Sequence, residues 1–374
     1  MNDKITEPRC PYFRKCGGCA FQDVDYASQL ENKRRRLCET IHHEVDSVHS
    51  GPEYHYRSRM DMVFHPKGLG FREKGSWRHI VDIEQCVISN QKLNDLIREI
   101  RDFFTEIDAF DSRTHIGTFR YAVMRTPPQD SSVSIILNQD SPKQDSATAL
   151  IERFARSTSA ANVVLTRTPP NREVSVSEDY TVVKGLDWIK EDFLGRNFYY
   201  PVQGFFQNNH TVAEKIHVFC RERLQSYDTA GAHLLDLYGG VGPFAVINAD
   251  LFRSVTLIES YAPAVLAAAT NFNHNQIENA RTLSLNAKQL KTIELPQPLV
   301  VILDPPRSGT HPKAINYLNT IRPELILYIS CNIKQLAMDL EKLTHYSIRS
   351  ASMFDLFPQT PHMEAVIELV PKEL

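Results

Sequence analysis

No stretch of the 374-residue chain approaches the ~18 consecutive apolar residues that a membrane-spanning helix requires, and Met1 to Arg9 has no apolar secretory core. The expected location is therefore cytoplasmic. Charge of one sign is also scarce. The formal net charge is -3 at pH 7, which excludes a uniformly basic nucleic-acid coat and leaves only local patches to hold any polyanion. Lys33 to Arg36, Arg57 with Arg59, and Arg72 to Arg78 around Trp77 are candidate patches, although such runs are as commonly plain solvated faces. Internal repeats and low-complexity tracts are missing too, so neither a solenoid nor a disordered tail accounts for the length. Seven cysteines in a reducing compartment do not make a disulfide framework, and those that cluster point to metal binding or catalysis.

A hydrophobic content of 42% over this length supports two separately buried cores. We expect a sheet-rich domain over 1–200 and a second domain over 201–374, with the helical stretch near 25–45 packing on the second. In the first, short runs of alternating polarity such as Arg59 to Phe64, Gly70 to Arg72 and Ile80 to Ile83 suggest antiparallel strands, and Gln91 to Ile107 reads as an amphipathic helix. Gln139 to Ser146 reads as a loop. From about Val202, buried strands alternate with helices, which predicts an α/β, Rossmann-like doubly wound parallel sheet.

Ligands of such sheets bind beyond the carboxyl ends of the strands, beside the first glycine-rich turn. Asp236-Leu237-Tyr238-Gly239-Gly240-Val241-Gly242 supplies that turn, and Glu259 ends the next strand 23 positions after Asp236, where a carboxylate accepts both hydroxyls of a ribose. The third glycine of a pyrophosphate-binding turn is absent. That favours S-adenosylmethionine over a nicotinamide dinucleotide. Asn286 stands where the third strand should end and is either an adenine contact or a turn asparagine.

Asp304-Pro305-Pro306 ends the fourth strand, and Arg307 follows where an aromatic residue would suit methylation of an exocyclic amine. Methylation at C5 of a pyrimidine needs something else: a thiolate that adds to C6 and makes C5 enolate-like, and a base that afterwards removes the C5 proton. Cys331 ends the next strand. Glu364 interrupts the apolar approach to the last one, a costly place for a carboxylate without a task. The plain alternatives are an inert packed thiol and a surface glutamate.

Taken together, Phe205-Phe206-Gln207-Asn208-Asn209, the Asp236 to Gly242 turn, Asp304-Pro305-Pro306-Arg307-Ser308-Gly309, Ser330-Cys331-Asn332 and His362-Met363-Glu364 resemble the RNA uracil-C5 methyltransferases, which make 5-methyluridine. The resemblance implies Cys331 as nucleophile and Glu364 as base. It implies a cofactor and base site lined by Gln207, Tyr238, Gly240, Glu259 and Asp304, with Asn286 toward the adenine. Tyr238 departs from the family's usual Phe, and Pro243 stands where some members have Asn.

Cys10, Cys16 and Cys19, spaced C-x5-C-x2-C, together with Cys86 offer four thiolates, and spacing alone does not separate zinc from a [4Fe-4S] cluster. The resemblance to iron-sulfur members implies the cluster. It also implies an RNA substrate, with ribosomal (23S) RNA expected ahead of transfer RNA and no accessory barrel before Cys10. The target base must be unpaired or flipped out, and Phe71 and Trp77 are candidates to stack on splayed bases. Two rivals stay open: a cytosine-C5 methyltransferase using the same thiol chemistry, and a non-catalytic iron-sulfur RNA-binding protein or chaperone.

Overall fold

A computed structural model describes residues 5–66, 68–76 and 78–373. Trp77 lies outside the described residues. The chain forms two compact units that interleave in sequence. The first comprises 1–25, 52–191 and 201–203, and the second 26–51, 192–200 and 204–374.

The first unit is built on a seven-stranded sheet, in the order Ile80–Asp82, Gly68–Arg72, Arg59–His65, Phe119–Arg125, Ser132–Asn138, Asn162–Thr168, Tyr180–Lys184. Alternation makes the strands: Met60, Met62 and Phe64 face the core while Asp61 faces out. Gln91–Phe103 is a helix because Asn90 caps it, its side chain accepting from the Leu93 N–H at 2.8 Å, and because Leu93, Leu96, Ile97 and Ile100 form one buried stripe. One pair, Ser132–Asn138 with Asn162–Thr168, is parallel rather than antiparallel, and the helix Gln144–Ser157 makes the crossover. The expected loop over 139–146 thus ends at Lys143. The polar first turn of that helix conceals a stripe of Ala147, Ile151, Phe154 and Ala155.

In the second unit eight strands lie in the order Ser47–His49, Tyr346–Phe354, Glu364–Pro371, Leu325–Ser330, Leu299–Leu303, His233–Leu237, Ser254–Glu259, Ala280–Ser284. The four strands from Leu325 to Ser254 in that order are parallel and almost wholly apolar, as strands covered on both faces must be. Glu364–Pro371 enters antiparallel beside Leu325–Ser330. Its first residue therefore stands at the same sheet edge as the carboxyl ends of the parallel strands. Helix Tyr26–Ile41 belongs to this unit, and its Leu37 and Ile41 join the same core as Leu235, Val301 and Ile367. Among the described residues no helix is long and apolar enough to cross a membrane.

Candidate active site

Register places the central pair. Ser330 opposes Ala365 at the end of the antiparallel ladder, Cys331 and Glu364 each lie one residue beyond that pair, and the Glu364 carboxyl is close enough to act electrostatically on the Cys331 thiol. Cys331 is half-buried, and Glu364 is 5% exposed. Burial pushes the Cys331 thiol up to about 11, with the Glu364 and Asp304 carboxylates adding to it and the Arg307 guanidinium opposing them. Burial and then Asp304 likewise hold the Glu364 carboxyl well above the ordinary range, against Arg307. Burial thus disfavours the charged form of both groups, and added positive charge would favour it.

Three more carboxylates share this edge. Asp304 keeps part of its surface open to solvent, yet the strand ends crowd its carboxyl and desolvation pushes it up to about 7. Asp236 is fully buried and also pushed up to about 7, by burial first and then by Asp304 and Glu259. Its Oδ2 accepts from the Ala245 N–H at 3.0 Å, while Oδ1 has no hydrogen-bond partner. Glu259 Oε1 accepts the Ser260 and Tyr261 N–H groups at 2.6 and 2.8 Å, which fixes the carboxylate at its strand end. Gly239 lies close against the neighbouring strand, since a Cβ there would meet Leu257 Cγ at 2.6 Å, whereas a Cβ on Gly240 would meet open space. An orphaned buried oxygen, an open glycine turn and a wall of acid suit a cationic adenosine-bearing cofactor.

The other expected cofactor contacts divide. Gln207 is half-buried just before Asn209, the cap of helix His210–Gln225. Tyr238 has its hydroxyl occupied by the His311 N–H at 2.9 Å, which ties the glycine turn to the loop after Asp304. Asn286 is exposed, and its Oδ1 accepts from the Lys288 N–H at 3.0 Å, so the turn role is filled and only its amide nitrogen remains for a ligand.

Several residues that sequence reasoning passed over hold the site in shape. Asp339 is fully buried; its Oδ2 accepts from Tyr328 Oη at 2.7 Å and from the Thr310 N–H at 2.8 Å. It thereby fastens the 304–311 loop to the helix after Cys331. Gly309 sits against that helix at φ +80°, where any side chain would collide with Gln335 and Asp339. An acid amid the apolar Leu336-Ala337-Met338-Asp339-Leu340 was the available signal. Lys33 is corrected outright: it is 1% exposed and paired with Asp355 at 2.6 Å, so it is no phosphate contact. Other candidate cations are held locally, Arg34 by Glu31, Arg59 by Asp61 and Arg72 by Glu173.

In the first unit, each of the six pairs among Cys10, Cys16, Cys19 and Cys86 interacts electrostatically, so the thiols face a common space. Burial pushes Cys16 up to about 11 and Cys19 up to about 12, the neighbouring sulfurs adding to each, and it raises Cys10 as well. Polypeptide donors meet these sulfurs; the Gly18 N–H lies 3.4 Å from Cys16 Sγ. The Cys86 segment is fixed by Asn94, which accepts from the Cys86 N–H at 2.8 Å and donates to the Cys86 carbonyl at 3.1 Å. The sulfurs are gathered but not drawn together: among the described residues no three Cys, His, Asp or Glu side chains are close enough to hold a single metal ion.

Residues 25–372 match the sequence pattern of the tRNA (uracil-5-)-methyltransferases. The chain belongs to this family. Among similar members, the tRNA (uracil(54)-C(5))-methyltransferase of Pyrococcus horikoshii is 31% identical, with 97% of this chain and 85% of that protein covered. That of Pyrococcus furiosus is 30% identical, with 96% and 84% covered. The crystal structure of the Pyrococcus abyssi tRNA (uracil-54, C5)-methyltransferase, in complex with S-adenosyl-L-homocysteine, superposes with a TM-score of 0.79 at 27% identity, covering 95% of this chain and 86% of that one. The family and this likeness bear out the α/β methyltransferase architecture with its sheet-rich companion.

Proposed function

We propose that the protein methylates C5 of a uridine in RNA, with Cys331 as nucleophile, Glu364 as base, and Gln207, Tyr238, Gly240, Glu259, Asn286 and Asp304 around the cofactor and base. The electrostatic proximity of Cys331 and Glu364, each one residue beyond the Ser330–Ala365 pair, carries this reading. Bound at the acidic edge, S-adenosylmethionine supplies an electrophilic methyl on a cationic sulfur. Glu259, fixed by two backbone N–H groups, accepts the ribose hydroxyls. The Cys331 thiolate would add to C6 of the pyrimidine, and C5, then enolate-like, would take the methyl as the sulfonium S–CH3 bond breaks and the neutral thioether departs. The Glu364 carboxylate removes the C5 proton, the C5–C6 double bond re-forms, and the thiolate leaves. Burial, with Asp304 adding to it, raises both groups.

Relatives named for uridine 54 of transfer RNA support transfer RNA as the first substrate to test, ahead of the ribosomal RNA that the cluster-bearing pattern suggests. Cys10, Cys16, Cys19 and Cys86 would hold the [4Fe-4S] cluster. Four cysteines accept either a tetrahedral zinc or a four-iron cluster, and the resemblance to iron-sulfur members is what supports the cluster. No methyl-transfer step passes through it, and its role is to hold the amino-terminal arm on the RNA-gripping sheet. Mass mapping of tRNA and rRNA incubated with wild-type protein and with Cys331→Ala tests the assignment. A new 5-methyluridine with the first and none with the second is expected. Methylation that survives the substitution contradicts it, and RNA binding without any methylation favours the chaperone.

A further inference from the structure

We propose that helix Tyr26–Ile41 is a clamp on the turn that presents Glu364, and that Lys33 is its positioning residue. The inference rests on the reading of Glu364 as the base.

Glu364 is the first residue of its strand and pairs with Phe354, so it stands at the mouth of the connection 355–363. Nothing within a strand fixes a side chain at such a mouth; the connection must. It is gripped along its length. Lys33 Nζ donates to Asp355 Oδ1 at 2.6 Å and to the Phe357 carbonyl at 3.2 Å, and Tyr26 Oη donates to Asp355 Oδ2 at 2.9 Å. Gln29 exchanges two hydrogen bonds with Gln359, donating to its Oε1 at 3.0 Å and accepting from its N–H at 3.2 Å. Arg36 donates to the Pro361 carbonyl, three residues before Glu364. From the other side, Asn209 Nδ2 donates to the Leu356 carbonyl at 3.0 Å. That bond ties the segment carrying Gln207 to the same turn.

Burial sharpens the case. Gln29, Lys33, Leu37 and Ile41 form one buried stripe at four-residue spacing, so a cation and an amide occupy positions where Leu would pack. A buried ion pair seldom stabilises a fold more than apolar residues of the same volume would. What Lys33 and Gln29 supply, and Leu does not, is direction: bonds of fixed length to a backbone that must place one carboxylate.

The test is a partition. With RNA carrying the ordinary target uridine and S-adenosylmethionine, Glu364→Gln should accumulate the methylated protein-RNA adduct, resistant to denaturation, because the C5 proton stays. Lys33→Met should accumulate the same adduct, with about one methyl transferred per enzyme in a single turnover and turnover slowed about tenfold to a hundredfold, the cost of misplacing a reacting group by an ångström. Arg36→Ala, whose side chain is exposed and whose loss spares the core, should do so more weakly, severalfold. If Glu364→Gln traps nothing, the base assignment falls and this inference with it. If it traps while the folded Lys33→Met and Arg36→Ala proteins partition as wild type, or lose methyl transfer in step with turnover, the clamp alone is overturned.

Discussion

The two gatherings of sulfur in this protein have the same electrostatic problem and different remedies. Cys331 and the pair Cys16 and Cys19 are all pushed to about 11 or above, chiefly by burial. Beside Cys331 the further pressure comes from carboxylates, with Arg307 opposing it, so the thiol gives up its proton when a cation or an acceptor arrives. In the amino-terminal arm the further pressure on Cys10, Cys16 and Cys19 comes from neighbouring thiols. Under the proposed function the first arrangement is reactive and the second holds a structural cluster. A raised thiol pKa is therefore silent about function until the neighbours that raise it are named.

Three substitutions would break or sharpen this contrast. The largest effect belongs to Glu364→Gln, which should lower turnover about a thousandfold, within the range for loss of a general base, while leaving protein-bound iron unchanged; steady-state methylation with parallel iron analysis reads both. Next, Cys19→Ser should lose the iron and lower the melting temperature by several degrees while methyl transfer to RNA persists, reduced by about tenfold or less. A Cys19→Ser protein that keeps its iron and its melting temperature would dissolve the distinction. The smallest effect is expected from Arg307→Met. Arg307 opposes the rise of both Cys331 and Glu364, so its loss raises both further and moves the ascending limb of the single-turnover pH-rate profile to higher pH. A shift of about half to one pH unit, or threefold to tenfold at neutral pH, is expected. A shift to lower pH would contradict the assigned charge balance.

Much of this was legible along the chain, for reasons that differ by residue. Strand ends announce themselves when a polar group terminates an apolar run, which is how Asp236, Glu259, Asp304 and Cys331 stood out before any coordinates. Their meeting at one sheet edge follows from the parallel topology. The proximity of Cys331 and Glu364 was not readable, because it depends on how a 33-residue separation folds back as an antiparallel neighbour. Charge runs misled: Lys33 to Arg36 looks like one basic patch, but helical geometry turns Lys33 inward at the four-residue spacing of Gln29 and Leu37 while Arg35 stays out. The helix Gln144–Ser157 was hidden by its Gln-Asp-Ser start, which reads as turn chemistry unless the later stripe is weighed. Residues 26–51 leave the first unit in sequence to join the second in space, which the helical stretch near 25–45 foreshadowed, whereas nothing in the sequence marked the return of 192–200 to the second unit and of 201–203 to the first.

The central claim is a transient bond between the Cys331 sulfur and C6 of a pyrimidine. Incubating the protein with S-adenosylmethionine and RNA in which 5-fluorouridine replaces the target uridine blocks proton removal at C5, so the adduct should persist through denaturation, and peptide mass mapping should place the nucleotide on Cys331. Turnover of ordinary RNA under the same conditions with no such adduct, or an adduct on another residue, would contradict the account.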